Sequence, residues 1–184
     1  ARVRGERRSE CFPLYHLSVL ERWLGNGAQA ATLARSAADV AQATGIKDFE
    51  LYTLTALGEA ELAAGQLDAA GDAFLRAQDL AGQRKLPEQP DNVAGLARLA
   101  LARGDVPEAL RQVQRVLDGE AATGVAHQAR SQGRVNLVCH LVLARAMDPR
   151  ADAWLQRAHG QLLATAAKIS DEALREGFLA NIPD

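Results

Sequence analysis

A chain of 184 residues suits one ordinary domain or one short array of repeats, long enough to bury a sizeable core. Apolar residues make up 48% but aromatics only 4%, with Ala and Leu supplying most of the rest, which favours helices packed closely through small side chains. The net charge of −2, from 21 basic and 23 acidic residues, argues against nucleic acid as the main partner, and no apolar run approaches the roughly 20 residues that span a bilayer.

In chain order, residues 1–10 (ARVRGERRSE) read as a solvated tail or the end of a preceding helix, with a nucleic-acid arm as the minor reading. The first helix is expected to start at Ser9 or Phe12, with Pro13 tolerated only in its first turn, and to end near Leu24 at Gly25-Asn26-Gly27. The second spans about Ala28 to Thr44 and stops at Gly45. Asp48 is the expected N-cap of the third, which reaches Ala64, and Gln66 to Gln83 is the fourth. A loop at Leu86–Asp91 follows, with Asp91 capping a fifth helix to Arg103. Pro107 lies in the first turn of the sixth, which runs to about Asp118, and Gly119 and Gly124 both offer stops. The seventh covers Gln128 to Ala146, with Gly133 a weak point near its start. The eighth covers Pro149 to Lys168, and Ser170 caps a ninth, Asp171 to Leu179.

These helices repeat. With Gly25, Gly65, Gly104 and Ala146 aligned as turns, the spacings are 40, 39 and 42 residues. Upstream, Leu14, Leu54, Val93 and Val135 fall in register, then Leu17, Leu57, Leu96 and Val138, then the small residues Ser18, Gly58, Ala97 and Cys139. Downstream, Ala30, Ala70, Ala109 and Ala151 coincide, then Ala34, Phe74, Val113 and Leu155, then Ala37, Ala77, Val116 and Ala158. The small columns are where paired helices approach closest, and a larger side chain there would overpack the joint by about 1–3 kcal/mol. The Leu, Val and Phe columns fill the space between one pair and the next, because a single pair cannot bury both of its faces.

The second copy carries Leu54, Leu57, Gly58, Gly65, Ala70, Phe74 and Ala77, which match the helix–turn–helix motif of the tetratricopeptide repeat, and residues 11–168 resemble that family. Two departures stand out. That family's period is about 34 residues, and its large aromatic late in the first helix is replaced here by Glu21, Glu61, Ala100 and Val142. The final stretch, ISDEALREGFLANIPD, looks like the segment that closes repeat arrays at the ends of large bacterial regulators pairing a nucleotidase or cyclase module with helical repeats. There Leu174, Phe178 and Leu179 would cover the open end of the last pair. The resemblance implies an all-α, right-handed superhelix (a solenoid) of four helix hairpins, about 11–50, 51–89, 90–131 and 132–168, plus a capping helix and tail at 169–184. It also implies a signalling or regulatory parent and protein–protein interaction in place of enzymatic activity. Met147 as the single methionine, and an opening at Ala1 with no basic-then-apolar leader, fit a fragment of a longer cytoplasmic protein.

No chemistry stands out. There is no strand to carry a phosphate-binding glycine loop, no His-Glu-x-x-His and no paired-Cys zinc spacing, and His16, His127, His140 and His159 are scattered. Glu59 and Glu61 face different ways on a helix, as do Asp171 and Glu172; Asp68 and Asp72 share a face near a helix start, where carboxylates favour the dipole. No catalytic residue, metal site or cofactor is therefore expected. Cys11 and Cys139 read as free buried thiols, with a disulfide or metal pair as the alternative.

The surface left for function is the inner, concave wall of first helices. Its candidates are Tyr15, Arg22 and Trp23, with Phe12 and Val19, in the first copy; Tyr52, Thr55 and Glu59, with Leu62, in the second; then Arg98, with Ala94 and Leu101; then Asn136 and His140, with Leu143. Aromatic anchors and arginine on such a wall suit a peptide or protein segment. A small effector in a deep pocket lined by Tyr52, Glu59, Arg98 and His140 is the alternative. Two plainer readings stay open: Tyr15 and Trp23 pack against an upstream pair, and Glu59 and Arg98 pair with each other. Self-association through bare repeat ends also stays open.

Overall fold

A computed structural model describes residues 2–45, 47–123 and 131–180, and among these every regular element is a helix. In order they are α1 (Arg2–Trp23), α2 (Gly27–Thr44), α3 (Lys47–Ala63), α4 (Leu67–Gln83), α5 (Pro90–Ala102), α6 (Val106–Thr123), α7 (Gln132–Arg145), α8 (Ala151–Ala166) and α9 (Glu172–Ala180). None is long and apolar enough to cross a membrane.

The turn inside each pair has one backbone design. Gly25, Gly65 and Gly104 sit in the left-handed region, at φ of 82°, 76° and 77°. The next N–H reaches back to close the helix: Asn26 donates to the Glu21 carbonyl at 2.8 Å, Gln66 to Glu61 at 2.8 Å and Asp105 to Ala100 at 2.9 Å. This is a Schellman end, which satisfies carbonyls that the helix leaves open. The fourth turn keeps the bonding, with Asp148 donating to Leu143 at 2.8 Å. Its left-handed residue, however, is Met147 (φ 56°), one position beyond the Ala146 expected from the sequence.

Several boundaries differ from expectation. α1 begins at Arg2, so residues 2–10 run straight into the first helix and Pro13 lies in its interior. α3 starts at Lys47, which takes Asp48 into its first turn. α6 runs through Gly119 to Thr123, since a lone helical glycine weakens a helix by only about 1 kcal/mol. The expected stop at Gly124 and the expected start of α7 at Gln128 lie outside the described residues. α9 is capped by Asp171, not Ser170: the Asp171 carboxylate accepts the Leu174 N–H at 2.9 Å.

The chain divides into two compact units, Ala1–Glu88 and Gln89–Asp184. In the first, α1 packs on α2, α2 on α3 and α3 on α4, and α1 also touches α3. The core is small-residue: Ala30, Ala31, Ala34 and Ala38 of α2 meet Leu54, Leu57 and Ala60 of α3, which meet Ala73 and Ala77 of α4. The helices come close enough that a Cβ built on Gly27 would lie 2.7 Å from the Ala63 carbonyl oxygen. At Gly58 the close neighbour is a ring: an added Cβ would meet Phe74 at 2.6 Å. Ion pairs join helices here, among them Arg35 of α2 to the buried Glu61 of α3, and Arg84, just after α4, to Glu50 of α3.

In the second unit α5 packs on α6, α7 on α8, α7 also on α5 and α6, and α9 on α8. Its core is branched and larger, built on Val93, Val113, Val116, Val135, Val138, Val142, Leu143 and Trp154. Leu155, expected in the buried column, is 43% exposed, and Trp154 is 6% exposed in its stead. The stripe on α8 steps three residues from buried Ala151 to Trp154, where the other second helices step four. The late left-handed turn at Met147 accompanies this slip. Asp91 does not cap its own helix: its carboxylate accepts the N–H of Ser131, the N-cap of α7, at 3.0 Å, with Arg134 at 3.9 Å, tying one pair to the next. Glu120 of α6 and Arg157 of α8 form a two-bond pair at 2.8 and 2.9 Å, and the Arg157 guanidinium stacks 4.5 Å above the Trp154 ring.

Candidate functional site

In the first unit, two pairs of aromatic residues spaced three apart share the first-helix side: Phe12 and Tyr15 on α1, Phe49 and Tyr52 on α3. Their rings converge on Phe49. Its centroid lies 4.3 Å from that of Phe12, 5.2 Å from Tyr15 and 6.2 Å from Tyr52, with tilted or edge-on planes. Such pairs contribute about 0.5–1.5 kcal/mol each beyond area burial. Phe49 is buried at 6% exposure, Phe12 is 47% exposed, and Tyr15 and Tyr52 are half-buried. The result is an aromatic ledge with a fixed floor and three open edges, His16 flanking Tyr15 at 5.0 Å. Beneath it the Cys11 thiol donates to the Ala37 carbonyl at 3.3 Å, and burial raises its pKa.

Tyr15 and Tyr52 are thus brought together, through a residue that sequence reasoning missed. The repeat carries Tyr15 forward to Thr55, and Phe49 back to the polar Ser9, so no column pointed to Phe49. The usable signal was local: the aromatic pair with spacing three occurs twice. Thr55 is buried and its hydroxyl donates to the Leu51 carbonyl at 3.0 Å, inside its own helix. Glu59 is 2% exposed, deep in the fold. Arg22 is half-buried, while Trp23 is 54% exposed, on the outer side of α1 with Leu17, Leu20 and Leu24.

The remaining candidates belong to the second unit. Arg98 is half-buried. Asn136 is buried, its carbonyl oxygen accepting from Gln132 Nε2 at 2.9 Å. His140 turns toward its own pair: Nδ1 lies 3.0 Å from the Ala151 carbonyl oxygen at the start of α8, so that nitrogen carries the proton. Both cysteines are free and buried. Burial first, and the Glu120 charge second, push the Cys139 thiol up to about 12.

An open hollow of about 440 Å³ lies at the C-terminal end of α4, lined by Gln78, Asp79, Gly82, Leu86 and Glu88, on a second helix and its following loop, with no ledge residue in its lining. Among the described residues no group of three or more His, Cys, Asp or Glu side chains could hold a metal ion. No protein-family model matches the chain, and no curated protein matches it either.

Proposed function

We propose that the chain is a protein–protein interaction domain, non-enzymatic and cytoplasmic, and that it binds a peptide or protein segment through the aromatic ledge of its first unit. The observation that carries this reading is the Phe49 cluster: an anchored ring floor with Phe12, Tyr15 and Tyr52 at its rim. Aromatic side chains offer large contact area for little conformational entropy, which is why they dominate binding hot spots. The partner that fits is a segment with an aliphatic or aromatic anchor and a hydrogen-bond acceptor within reach of the tyrosine hydroxyls.

The finer fold belongs to the same proposal. Packing of neighbouring helix pairs within each unit, the shared Schellman turn and the second-copy motif support a tetratricopeptide-like superhelix, and the sequence of the closing segment at 169–184 supports a bacterial signalling or regulatory parent. Effector sensing has less behind it: the hollow on α4 is open and uses none of Tyr52, Glu59, Arg98 or His140.

Selection of a displayed peptide library against the full 184-residue chain tests the reading. Enriched peptides should share an apolar anchor and lose affinity at least tenfold on Tyr52→Ala and Phe12→Ala, while Leu163→Ala, on the exposed side of α8, leaves binding unchanged. Failure to enrich any peptide, or enrichment indifferent to the two ledge substitutions, would reject it.

A further inference from the structure

The outer face of α1 is apolar and open: Leu17, Leu20, Trp23 and Leu24 are 46%, 47%, 54% and 64% exposed. Its spacing of three and four residues makes one continuous stripe. The chain itself shows what covers such a face. A shift of 40 residues carries Leu17, Leu20, Glu21, Trp23 and Leu24 onto Leu57, Ala60, Glu61, Ala63 and Ala64 of α3. The centre of that face of α3 is buried under α2: Leu57 and Ala60 share a core with Ala30, Ala31, Ala34 and Ala38, and Arg35 pairs with the buried Glu61. At its end Gly27 abuts the backbone of Ala63 and Ala64, with Ala63 itself exposed at the edge of the contact and Ala64 half-buried.

We infer that the Leu17–Leu24 face of α1 is a docking surface for the second helix of a further hairpin of this repeat type, one with an Ala/Gly stripe and an arginine placed like Arg35. Charge and size both specify the occupant. Glu21 stands where Glu61 stands, half-buried, with one carboxylate oxygen on Asn26 Nδ2 at 2.7 Å and acceptor capacity left for a guanidinium. Leu20, Trp23 and Leu24 are each larger than their α3 counterparts, so the covering helix rides farther out, toward the upper end of the 8–10 Å range of helix separations, and must be small along its contact stripe. A second copy of this chain cannot supply that helix from its α2, whose stripe is already covered by α1 and α3. The inference rests on the equivalence of α1 and α3 and not on the aromatic ledge.

The probe is a capped synthetic peptide with the α2 sequence, residues 27–44, titrated into the intact chain. Trp23 is the reporter, because the other tryptophan, Trp154, is 6% exposed. Its emission should shift to the blue and saturate with peptide. Leu20→Asp, at an exposed position, should abolish the shift with helicity unchanged, and Glu21→Gln in the chain or Arg35→Ala in the peptide should weaken binding about tenfold. No shift up to millimolar peptide, or a shift indifferent to Leu20→Asp, overturns the inference. So does a shift that appears on concentrating the chain alone, with a dimer in sedimentation, since the occupant is then a second copy. None of these outcomes touches Phe12 or Tyr52, so the ledge reading stands or falls separately.

Discussion

The second and fourth helix pairs, α3–α4 and α7–α8, end their first helices with the same two backbone bonds and fill their joints differently. At the small column, α3 has Gly58 with the Phe74 ring against it, and α7 has the buried thiol of Cys139. At the turn, one has Gly65 and the other Met147. In the second helix, one buries Phe74 and the other Trp154, a step out of register with the repeat. The contrast teaches that the turn is the conserved part of the design and the packing is negotiated around it. A Schellman end fixes how the chain reverses, and whichever bulky side chain then lies over the joint becomes the core.

The sharpest way to break that contrast is to remove the filler. Trp154→Ala should destabilise by about 3–5 kcal/mol, from the cavity and the lost guanidinium stack. Leu155→Ala, at the position the repeat would favour, should stay within about 0.5 kcal/mol. Denaturant midpoints of the two variants check this, and equal losses would show that the column had not slipped.

Next come the helical glycines. Gly58→Ala gains about 1 kcal/mol of helix propensity but drives a Cβ to 2.6 Å from a rigid ring. Overpacking of about 1–3 kcal/mol should leave it net destabilised. Phe74→Leu in the same chain should recover part of that loss, because contacting sites couple. Gly160 of α8 has nothing within 4 Å of its added Cβ, so Gly160→Ala should stabilise by up to about 1 kcal/mol. A thermal melt of the four proteins decides the signs.

The turns give a smaller, opposite pair. Met147 is 91% exposed, so Met147→Gly removes left-handed strain without removing a contact and should stabilise by about 1 kcal/mol. Gly65→Ala should lose a similar amount. If both changes act in the same direction, backbone strain is not what separates these turns.

Much of this was legible in the sequence because helical period and glycine stops are local signals. The second helices were easy: Ala30, Ala70 and Ala109 are all fully buried, as the columns require. What could not be read was whatever depends on a partner across space. Asp91 looks like a cap for its own helix, since nothing local shows that Ser131 of another pair will stand against it. Phe49 lacked a column because its partners are rings on α1. The fourth turn slipped because Ala146 and Met147 are equally poor left-handed residues, and only the closing hydrogen bonds choose between them. Of the candidate wall, Tyr15 and Tyr52 converge on one ring, the Thr55 hydroxyl and the Asn136 carbonyl oxygen each bond within their own helix, and His140 bonds within its own pair.

The last distinction lies at the start of each second helix. Gln66, before α4, makes no side-chain cap. Asp148, two residues ahead of Arg150 at the start of α8, accepts from the Arg150 side chain at 2.7 and 2.9 Å and from its N–H at 2.9 Å. Those bonds lower its pKa to about 2, from an ordinary value of 3.8. A depressed carboxylate contributes stability above its unfolded pKa and loses it as pH falls through the folded one. The difference in melting temperature between the native chain and Asp148→Asn should therefore be constant from neutral pH down to about 5. It should shrink between about 4 and 2, and vanish below that. Because Arg150 is solvent-exposed and Asp148 only half-buried, the difference should be small throughout and fall further in high salt. Gln66→Glu, which offers α4 a carboxylate at the helix N-terminus without an arginine two residues on, should show a weaker acid dependence in that window, from the helix dipole alone.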